Sequence, residues 1–379
     1  MRILYITHYE RLYGANLSLL QLIINEKKLY GDELYVLVNK EGDFTDALKR
    51  ENIKYIKACY FTDTVNVKKK FVLLRIGIKR FIKPFTYLRV WIKIKKYGFF
   101  DIIHTNSSVI SIGCFLAKKM KTKHVWHVRE FGYEDYNLKY ILSKKKREKR
   151  YENSDVMIAI SKAIEDEIYK VAPNAKCEVI YNGVKQNDEA YEKKIDVNNL
   201  KFCIVGQICE KKNQFEAVKA CKILKDRSVK NFKLYIWGDG DENYIKEIMK
   251  YIDENFLGEN IKFMGYSADI MSKLKDMNVG IVPSVKEAFG RVTIEYMSNY
   301  MPVIGANTGG TIELIDNGKD GIIYTLNNIE ELAGAMEKML VSPEVVVKMG
   351  IEAKQKSKKY TADMNAKKIY ELYKKVLYL

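Results

Sequence analysis

The strongest constraint on this chain is a unit that recurs along its length: a short apolar run, a polar or glycine-bearing turn, then an amphipathic stretch. Arg2–Thr7, Glu33–Val38, Val156–Ile160, Phe202–Gly206, Val279–Val282 and Pro302–Gly305 are too short for helices and rich in β-branched residues, as buried strands are. Strands that alternate with helical segments form mostly parallel sheets covered on both faces, so the chain reads as α/β and doubly wound. The pattern runs from Arg2 to Val184, lapses over the polar segment Lys185–Asn199 and restarts near Leu200. That predicts a domain over 1–184, a linker over 185–199, a second domain over 200–362, and final helices over 363–379 that cross back onto the first. With 379 residues and 47% hydrophobic content, the chain has enough apolar side chains for two cores.

In a sheet of this kind ligands settle at the carboxyl ends of the strands, where helix starts offer N–H groups to an anion. The turns there carry the chemistry. Val279–Val282 leads into Pro283-Ser284-Val285-Lys286-Glu287-Ala288-Phe289-Gly290-Arg291, a strand-to-helix turn, with Glu287 just before the helix and Glu295 about two turns inside it. Two glutamates at this spacing are common on solvated surfaces, so their companions decide. Lys212 and Arg291 offer cationic contacts to a diphosphate. Glu295 suits vicinal ribose hydroxyls and Glu287 a sugar ring.

In the first half, the strand Arg2–Thr7 ends at His8 and opens a loop, Tyr9–Ala15, before a helix predicted from about Asn16 to Lys27. Asn16 is a candidate N-cap, and Gly14 lets the backbone approach a ligand. Asp101–Ser108 and Lys123–Glu130 also run from strand into polar turn. All four histidines lie in this half. His104 and His124 read as structural, whereas for His127, beside Arg129 and Glu130, the functional reading weighs at least as much as the structural one. Gly238-Asp239-Gly240-Asp241 matches half of a dinucleotide fingerprint, and its acids read as turn and N-cap residues. The six cysteines form no close pair, so neither zinc nor a disulfide framework is indicated, and they read as small buried residues.

A net charge of +17 suits nucleic acid, an anionic membrane surface or an acidic substrate. From Lys68 to Lys96, within an insert over 66–98, basic residues interleave with apolar ones and no acid intervenes. Two readings stand: an interfacial amphipathic helix pair broken near Pro84, or a surface hairpin whose apolar stripe is core. A second basic run spans Lys144–Arg150. No window of about 18 uninterrupted apolar residues occurs and the first residues enter a strand pattern directly, so a cytoplasmic protein is expected.

The spacing from Glu287 to Glu295 around Phe289-Gly290 resembles the Glu-x7-Glu signature of the family-4 retaining glycosyltransferases with the GT-B fold. Val205-Gly206-Gln207 with Lys212-Asn213-Gln214 resembles that family's phosphate segment, Tyr181-Asn182-Gly183-Val184 its interdomain Asn-Gly, and Gly309-Gly310 its late glycine turn. The resemblance implies two Rossmann-like domains facing a central cleft, with a C-terminal helix crossing back. It implies transfer of a sugar from a nucleotide-sugar, UDP by family frequency, with retention and with neither metal nor cofactor. It implies donor binding by Gly14, Ala15, Gln207, Lys212, Glu287, Ala288, Phe289, Gly290, Arg291 and Glu295, with His127 and Glu287 at the sugar and Arg129 and Glu130 on the acceptor side. Gln207 departs from the family's usual Arg and removes a charge from the diphosphate site.

Trp126–Phe131 is similar to members that assemble bacterial polysaccharides. That implies a saccharide or polyprenyl-diphosphate-linked saccharide acceptor at the inner face of the cytoplasmic membrane, held peripherally through 68–96. Three alternatives stay open: a nucleotide-sugar epimerase of the same fold, a sugar-binding subunit without activity, and a nucleic-acid-binding protein. The last leaves Glu287 and Glu295 without a purpose.

Overall fold

The computed structural model describes residues 1–67, 71–132, 134, 137–187, 196, 199–229 and 231–378. Lys68, Lys69, Lys70 and most of the expected linker 185–199 lie outside the described residues. The chain forms two compact units: Met1–Gly183 with Ala362–Leu379, and Val184–Thr361.

The first unit contains β1 (Arg2–Ile6), β2 (Glu33–Val38), β3 (Lys54–Lys57), β4 (Thr64–Asn66), β5 (Ile102–Asn106), β6 (Lys123–Val128), β7 (Leu138–Tyr140), β8 (Val156–Ala159) and β9 (Cys177–Val179). Seven of them make a parallel sheet in the order β3-β2-β1-β5-β6-β8-β9, while β4 and β7 pair antiparallel in a small sheet of their own. The chain winds outward from β1 in one direction and then from β5 in the other, so the strand order reverses between β1 and β5. At such a reversal the flanking loops part and leave a crevice at the carboxyl edge. The central strands β2, β1, β5, β6 and β8 bury nearly every side chain, as a sheet covered on both faces must: Ile3, Tyr5, Val36, Ile102, Val125 and Ile158 share one core with Leu19 and Ile23 of the helix Gly14–Tyr30. The final helix, Ala362–Tyr378, adds Ile369, Leu372 and Tyr373 to that core, and its Tyr370 stacks on Tyr30 with ring centroids 3.5 Å apart.

The second unit contains β10 (Leu200–Val205), β11 (Phe232–Trp237), β12 (Ile261–Gly265), β13 (Val279–Val282), β14 (Val303–Ala306) and β15 (Gly321–Tyr324), ordered β12-β11-β10-β13-β14-β15 and all parallel. Here the reversal falls between β10 and β13. Both units are thus doubly wound.

Several expectations need correction. The basic stretch is one helix, Val72–Lys95, with Pro84 inside it. Proline removes one backbone donor there, but Tyr87, Val90 and Ile94 bury against Tyr60 and Phe100, and the Thr86 hydroxyl donates to the Lys83 carbonyl at 2.8 Å. The two readings of its apolar residues divide the helix: those three are core, while Leu73 (81% exposed), Phe81 (75%), Leu74, Ile78, Phe85, Leu88 and Ile92 face solvent. The helix expected over Ala268–Met277 is confined to Ile270–Leu274, started by the Asp269 side chain accepting from Ser272 N–H. Of the cysteines only Cys203 and Cys221 are buried, and Cys59, just beyond β3, is exposed. The β4–β7 pair went unread because three-residue strands carry almost no periodicity.

Candidate functional site

In the second unit the carboxyl ends of β10 and β13 bring together three turns. The Val285 N–H donates to the Lys211 carbonyl (3.0 Å), the Gly310 N–H to the Glu287 carbonyl (2.7 Å), and the Thr308 hydroxyl to the Ser284 carbonyl (3.1 Å). Gly309 makes this possible. Its φ is +51° and a Cβ there would stand 2.2 Å from the Glu287 carbonyl oxygen, so only glycine lets the two backbones touch. Gly290, at φ +88°, then turns the chain into the helix Arg291–Ser298.

This framework holds the side chains. The buried Glu287 carboxylate accepts from the Ser284 hydroxyl at 2.8 Å and pairs with the Lys212 ammonium. Ala288 is half-buried beside it and Phe289 is buried. Glu295 lies one turn into the helix, not two, because the helix starts at Arg291. It faces the Arg291 guanidinium at 3.5 Å. Burial lowers the Arg291 pKa and Glu295 opposes that shift, and the group stays a cation at neutral pH. Gln207 is exposed, and its carbonyl accepts from the buried Gln214 amide at 2.9 Å. The glutamine therefore shapes this turn through its backbone, with its side chain in solvent. Asp241 caps the helix Glu242–Glu254, accepting from the Asn243 and Tyr244 N–H groups. Sequence reasoning missed Ser284 and Thr308, whose roles depend on turns brought together by the sheet.

In the first unit the helix begins at Gly14 itself, one turn's fraction earlier than expected. Asn16 is inside it and buried, so it does not cap. Its amide instead donates to the Tyr9 and Arg11 carbonyls at 2.7 and 2.8 Å, clamping the loop after β1. A Cβ at Gly14 would meet nothing within 4 Å, and the Ala15 carbonyl accepts from Asn106 at 3.3 Å. The turn after β5 is strained at Ser107, a non-glycine residue at φ +141°. It is held by the Trp126 indole N–H, donating to the Ser107 carbonyl at 2.9 Å, and by Glu130, which accepts from the Ser107 hydroxyl, the Ser108 hydroxyl and the Ser108 N–H at 2.6 to 2.8 Å.

His127 at the end of β6 is fully buried, as is His104 on β5, and burial pushes both imidazoles well below their ordinary pKa. The neighbouring Arg129 cation lowers both further, so both are neutral. Arg129 donates to Asn106 and Asn182 and also approaches His127 Nδ1 at 3.3 Å. His124 bonds Thr105 and Ser154 at 2.8 and 3.0 Å, and burial pushes its pKa down to about 3. Burial also lowers His8. Beside this region a cavity of about 590 Å³, with mostly apolar walls, is lined by Arg80, Lys83, Tyr87, Phe115, Ile141 and Arg150. Lys83 pairs with the buried Asp63, and Arg150 lies 3.7 Å from the same carboxylate.

Two doubly wound parallel units, each with polar turns gathered where its strand order reverses, define an α/β protein of the GT-B class. Residues 31–187 match the model for Glycosyltransferase Family 4, and residues 185–356 match that for Glycosyl transferases group 1. The chain belongs to the family-4 glycosyltransferases.

An uncharacterized glycosyltransferase of Methanocaldococcus jannaschii is 30% identical over 224 residues, covering 58% of this chain and 60% of that protein. The chain likewise spans 60% of the length of a second relative from that archaeon. A UDP-Gal:alpha-D-GlcNAc-diphosphoundecaprenol alpha-1,3-galactosyltransferase of Escherichia coli is 25% identical over 355 residues, 86% of this chain and 87% of that one. The crystal structure of HepE from Anabaena in complex with UDP has a TM-score of 0.79 at 19% identity, over 99% of this chain and 100% of that one. At that identity the likeness is one of fold. No helix among the described residues is long and apolar enough to cross a membrane.

Proposed function

We propose that the chain is a retaining, metal-independent hexosyltransferase that moves a sugar from a nucleotide-sugar, with UDP as the nucleotide, to a saccharide or polyprenyl-diphosphate-linked saccharide during cell-surface polysaccharide assembly. The observation that carries this reading is the Ser284–Glu287–Lys212 cluster on a glycine-locked turn, followed one helical turn on by Arg291 and Glu295. Lys212, Arg291 and the start of the helix Arg291–Ser298 supply positive charge for a diphosphate, and Glu295 supplies the acceptor atoms for ribose hydroxyls. Glu287 and His127 position the sugar. The acceptor oxygen bonds to the anomeric carbon as the bond to the diphosphate oxygen breaks, and the acceptor proton passes to the departing diphosphate. Charge grows on that leaving group, so cations fixed beside it lower the barrier more than any other contact. Gly14 and Ala15 approach the diphosphate through their backbone, and Gln207 contributes no charge there. Arg129 and Glu130 serve the acceptor side by holding the turns at the ends of β5 and β6.

The acceptor reading draws on the Escherichia coli relative, whose named acceptor is a GlcNAc-diphosphoundecaprenol, and on the exposed apolar face of the basic helix Val72–Lys95. Exposed apolar residues flanked by cations suit an anionic leaflet, and a peripheral cytoplasmic enzyme could reach a lipid-linked acceptor there.

A panel of nucleotide-sugars tests the donor. A UDP-hexose should raise the unfolding temperature in proportion to the logarithm of its concentration. Turnover with a lipid-linked saccharide should give a product with the donor's anomeric configuration, persist in EDTA and vanish in Glu287→Ala. An inverted product sinks retention, loss in EDTA sinks metal independence, and conversion of donor to an epimer without acceptor sinks transfer altogether.

A further inference from the structure

The cavity of about 590 Å³ in the first unit falls within the range of small-molecule sites, about 300–1,000 Å³. The helix Val72–Lys95, the helix Ile112–Met120 and the segment 141–150 enclose it. Asp63 fastens two of the three. Its carbonyl accepts from the Ile141 N–H at 2.7 Å, and its buried carboxylate pairs with Lys83. Arg80 ties the same two walls together, donating to the Ile141 carbonyl at 2.7 and 3.2 Å.

The lining combines two chemistries. Tyr87, Phe115 and Leu142 give it apolar walls, while Arg80, Lys146 and Arg150 join Lys83 in giving it positive charge, and no acid is among the lining residues. Asp63 answers only part of that charge. It pairs with Lys83 and lies 3.7 Å from Arg150, which also donates to the Ser111 hydroxyl. Arg80 spends its N–H groups on a neutral carbonyl, and neither it nor Lys146 pairs with a carboxylate among the described residues. Cations beside apolar walls fit an occupant that carries both an anion and a hydrocarbon. A free phosphate would leave the walls uncovered, and a neutral hydrocarbon would leave the cations without a partner. The helix Val72–Lys95 supplies the route in. Arg80, Pro84 and Tyr87 line the cavity at i, i+4 and i+7. Phe81, Phe85 and Leu88, one step round the helix at the same spacing, stand in solvent, with the Phe81 and Phe85 rings 6.0 Å apart. A hydrocarbon chain leaving an apolar leaflet therefore meets the exposed stripe and the cavity along one helix.

We propose that this cavity binds the phosphate-bearing end of the lipid acceptor, with the first hydrocarbon units against Tyr87, Phe115 and Leu142 and the diphosphate against Arg80, Lys146 and Arg150. Naming that lipid as the acceptor rests on the function proposed above, whereas the affinity for a hydrocarbon diphosphate does not. Lys83 and Asp63 are positioning residues: their buried pair holds the helix against the loop that carries Asp63 and keeps the cavity open.

Farnesyl diphosphate, a short and soluble hydrocarbon diphosphate, is the probe, titrated calorimetrically into the full chain. It should bind at least about tenfold more tightly than inorganic diphosphate or farnesol, since each of these lacks one of the two chemistries. Arg150→Gln should weaken it about tenfold, the worth of one charge-assisted hydrogen bond. Leu142→Trp, which fills the cavity from a half-buried wall, should weaken it by a similar factor. The Lys146 side chain is exposed, so Lys146→Gln keeps the fold and should still cost about threefold. None of the three should change the stabilisation given by a UDP-sugar. Equal affinity for inorganic diphosphate makes the cavity a plain anion site, equal affinity for farnesol an apolar one, and equal affinity for a short-chain phosphatidylglycerol a seat for bilayer lipid. Each of these overturns the proposal, as does farnesyl diphosphate binding that all three variants leave unchanged. Donor stabilisation and turnover on a soluble saccharide, with no farnesyl diphosphate bound, overturn the cavity's role and spare the transferase. Tight farnesyl diphosphate binding by a chain that no nucleotide-sugar stabilises upholds the site and counts against the transferase.

Discussion

The two units build the same kind of sheet and gather polar side chains at the same topological point, yet they hold them in opposite electrical states. In the second unit the groups at the reversal are charged and paired, Lys212 with Glu287 and Arg291 with Glu295, and the Lys212 side chain keeps 36% of its surface in solvent. In the first unit the groups at the reversal include His104 and His127, which burial keeps neutral and sealed from water. A diphosphate can exchange for one partner of an exposed ion pair at little desolvation cost. A buried neutral donor cannot chase charge, but it holds its direction because no water competes for it. The contrast is one of means: the second unit holds charge that a ligand can exchange for, whereas the first holds neutral groups whose direction is fixed.

The contrast breaks most visibly with pH. An acid whose pKa rises on folding binds its proton more tightly in the folded state. Burial on the helix Gly14–Tyr30 raises the Glu26 carboxyl from 4.5 to about 8. Below pH 4.5 both states of Glu26 are protonated and its contribution is complete; between 4.5 and about 8 the unfolded chain alone loses its proton, so the contribution fades with rising pH and is gone above about 8. At about 1.4 kcal/mol per pH unit the loss is at most about 5 kcal/mol. The buried histidines run the other way. Their contribution is complete above 6.5 and falls as pH drops, toward about 3 for His124. Hydrogen exchange of β1 and β5 should therefore show protection falling on both sides of a maximum near pH 6. Glu26→Gln should flatten the alkaline side alone, and an unchanged alkaline slope would show that burial of Glu26 does not set it.

The second unit is tested by its charge. Lys212→Ala leaves Glu287 buried without its cation and removes the contact proposed for the leaving group. Turnover should fall about 10²–10³-fold, or about 3–4 kcal/mol, with the first unit's pH profile unaltered. A loss below fivefold would mean that Arg291 and the helix start carry the diphosphate. A smaller effect is expected for Gly309→Ala, which puts a methyl group against the Glu287 carbonyl at a left-handed φ. About 2 kcal/mol of stability should go, read by denaturant unfolding, along with donor-induced stabilisation.

The same contrast explains what the sequence disclosed. Glu287, Gly290 and Glu295 lie in one continuous strand-to-helix turn, so the pattern on which the family resemblance rests is contiguous in the sequence, as is Lys212-Asn213-Gln214 after β10. The fold was legible for a related reason, since fully buried parallel strands write themselves as uninterrupted apolar runs such as Val279–Val282. The buried contacts from Glu26 through Tyr5 to Tyr373 were not legible. Glu26 and Tyr5 sit on different elements, and Tyr373 arrives from the far end of the chain, where it resembles any apolar-face residue spaced with Ile369. Asn16 misled for a similar cause: a polar residue near a helix start reads as a cap, and only the folded loop shows Tyr9 and Arg11 offering their carbonyls. The helix Val72–Lys95 was half legible, because composition reports that it is basic and apolar but not which apolar residues are core.

That helix supplies the smallest effect and the sharpest test of whether attraction belongs to the second unit alone. Arg75 and Arg89 are exposed, on the same helix as the solvent-facing Leu73, Leu74, Phe81 and Phe85. If the first unit also uses charge at a membrane, each basic residue near an anionic leaflet is worth about 1 kcal/mol. Arg75→Gln and Arg89→Gln should then each weaken flotation with anionic vesicles about fivefold, and the effect should shrink as salt rises. Neither substitution touches the buried Tyr87, Val90 and Ile94 that dock the helix, so stability and turnover on a soluble acceptor should hold. Equal flotation of both variants and the unmodified chain would return the exposed face to ordinary surface.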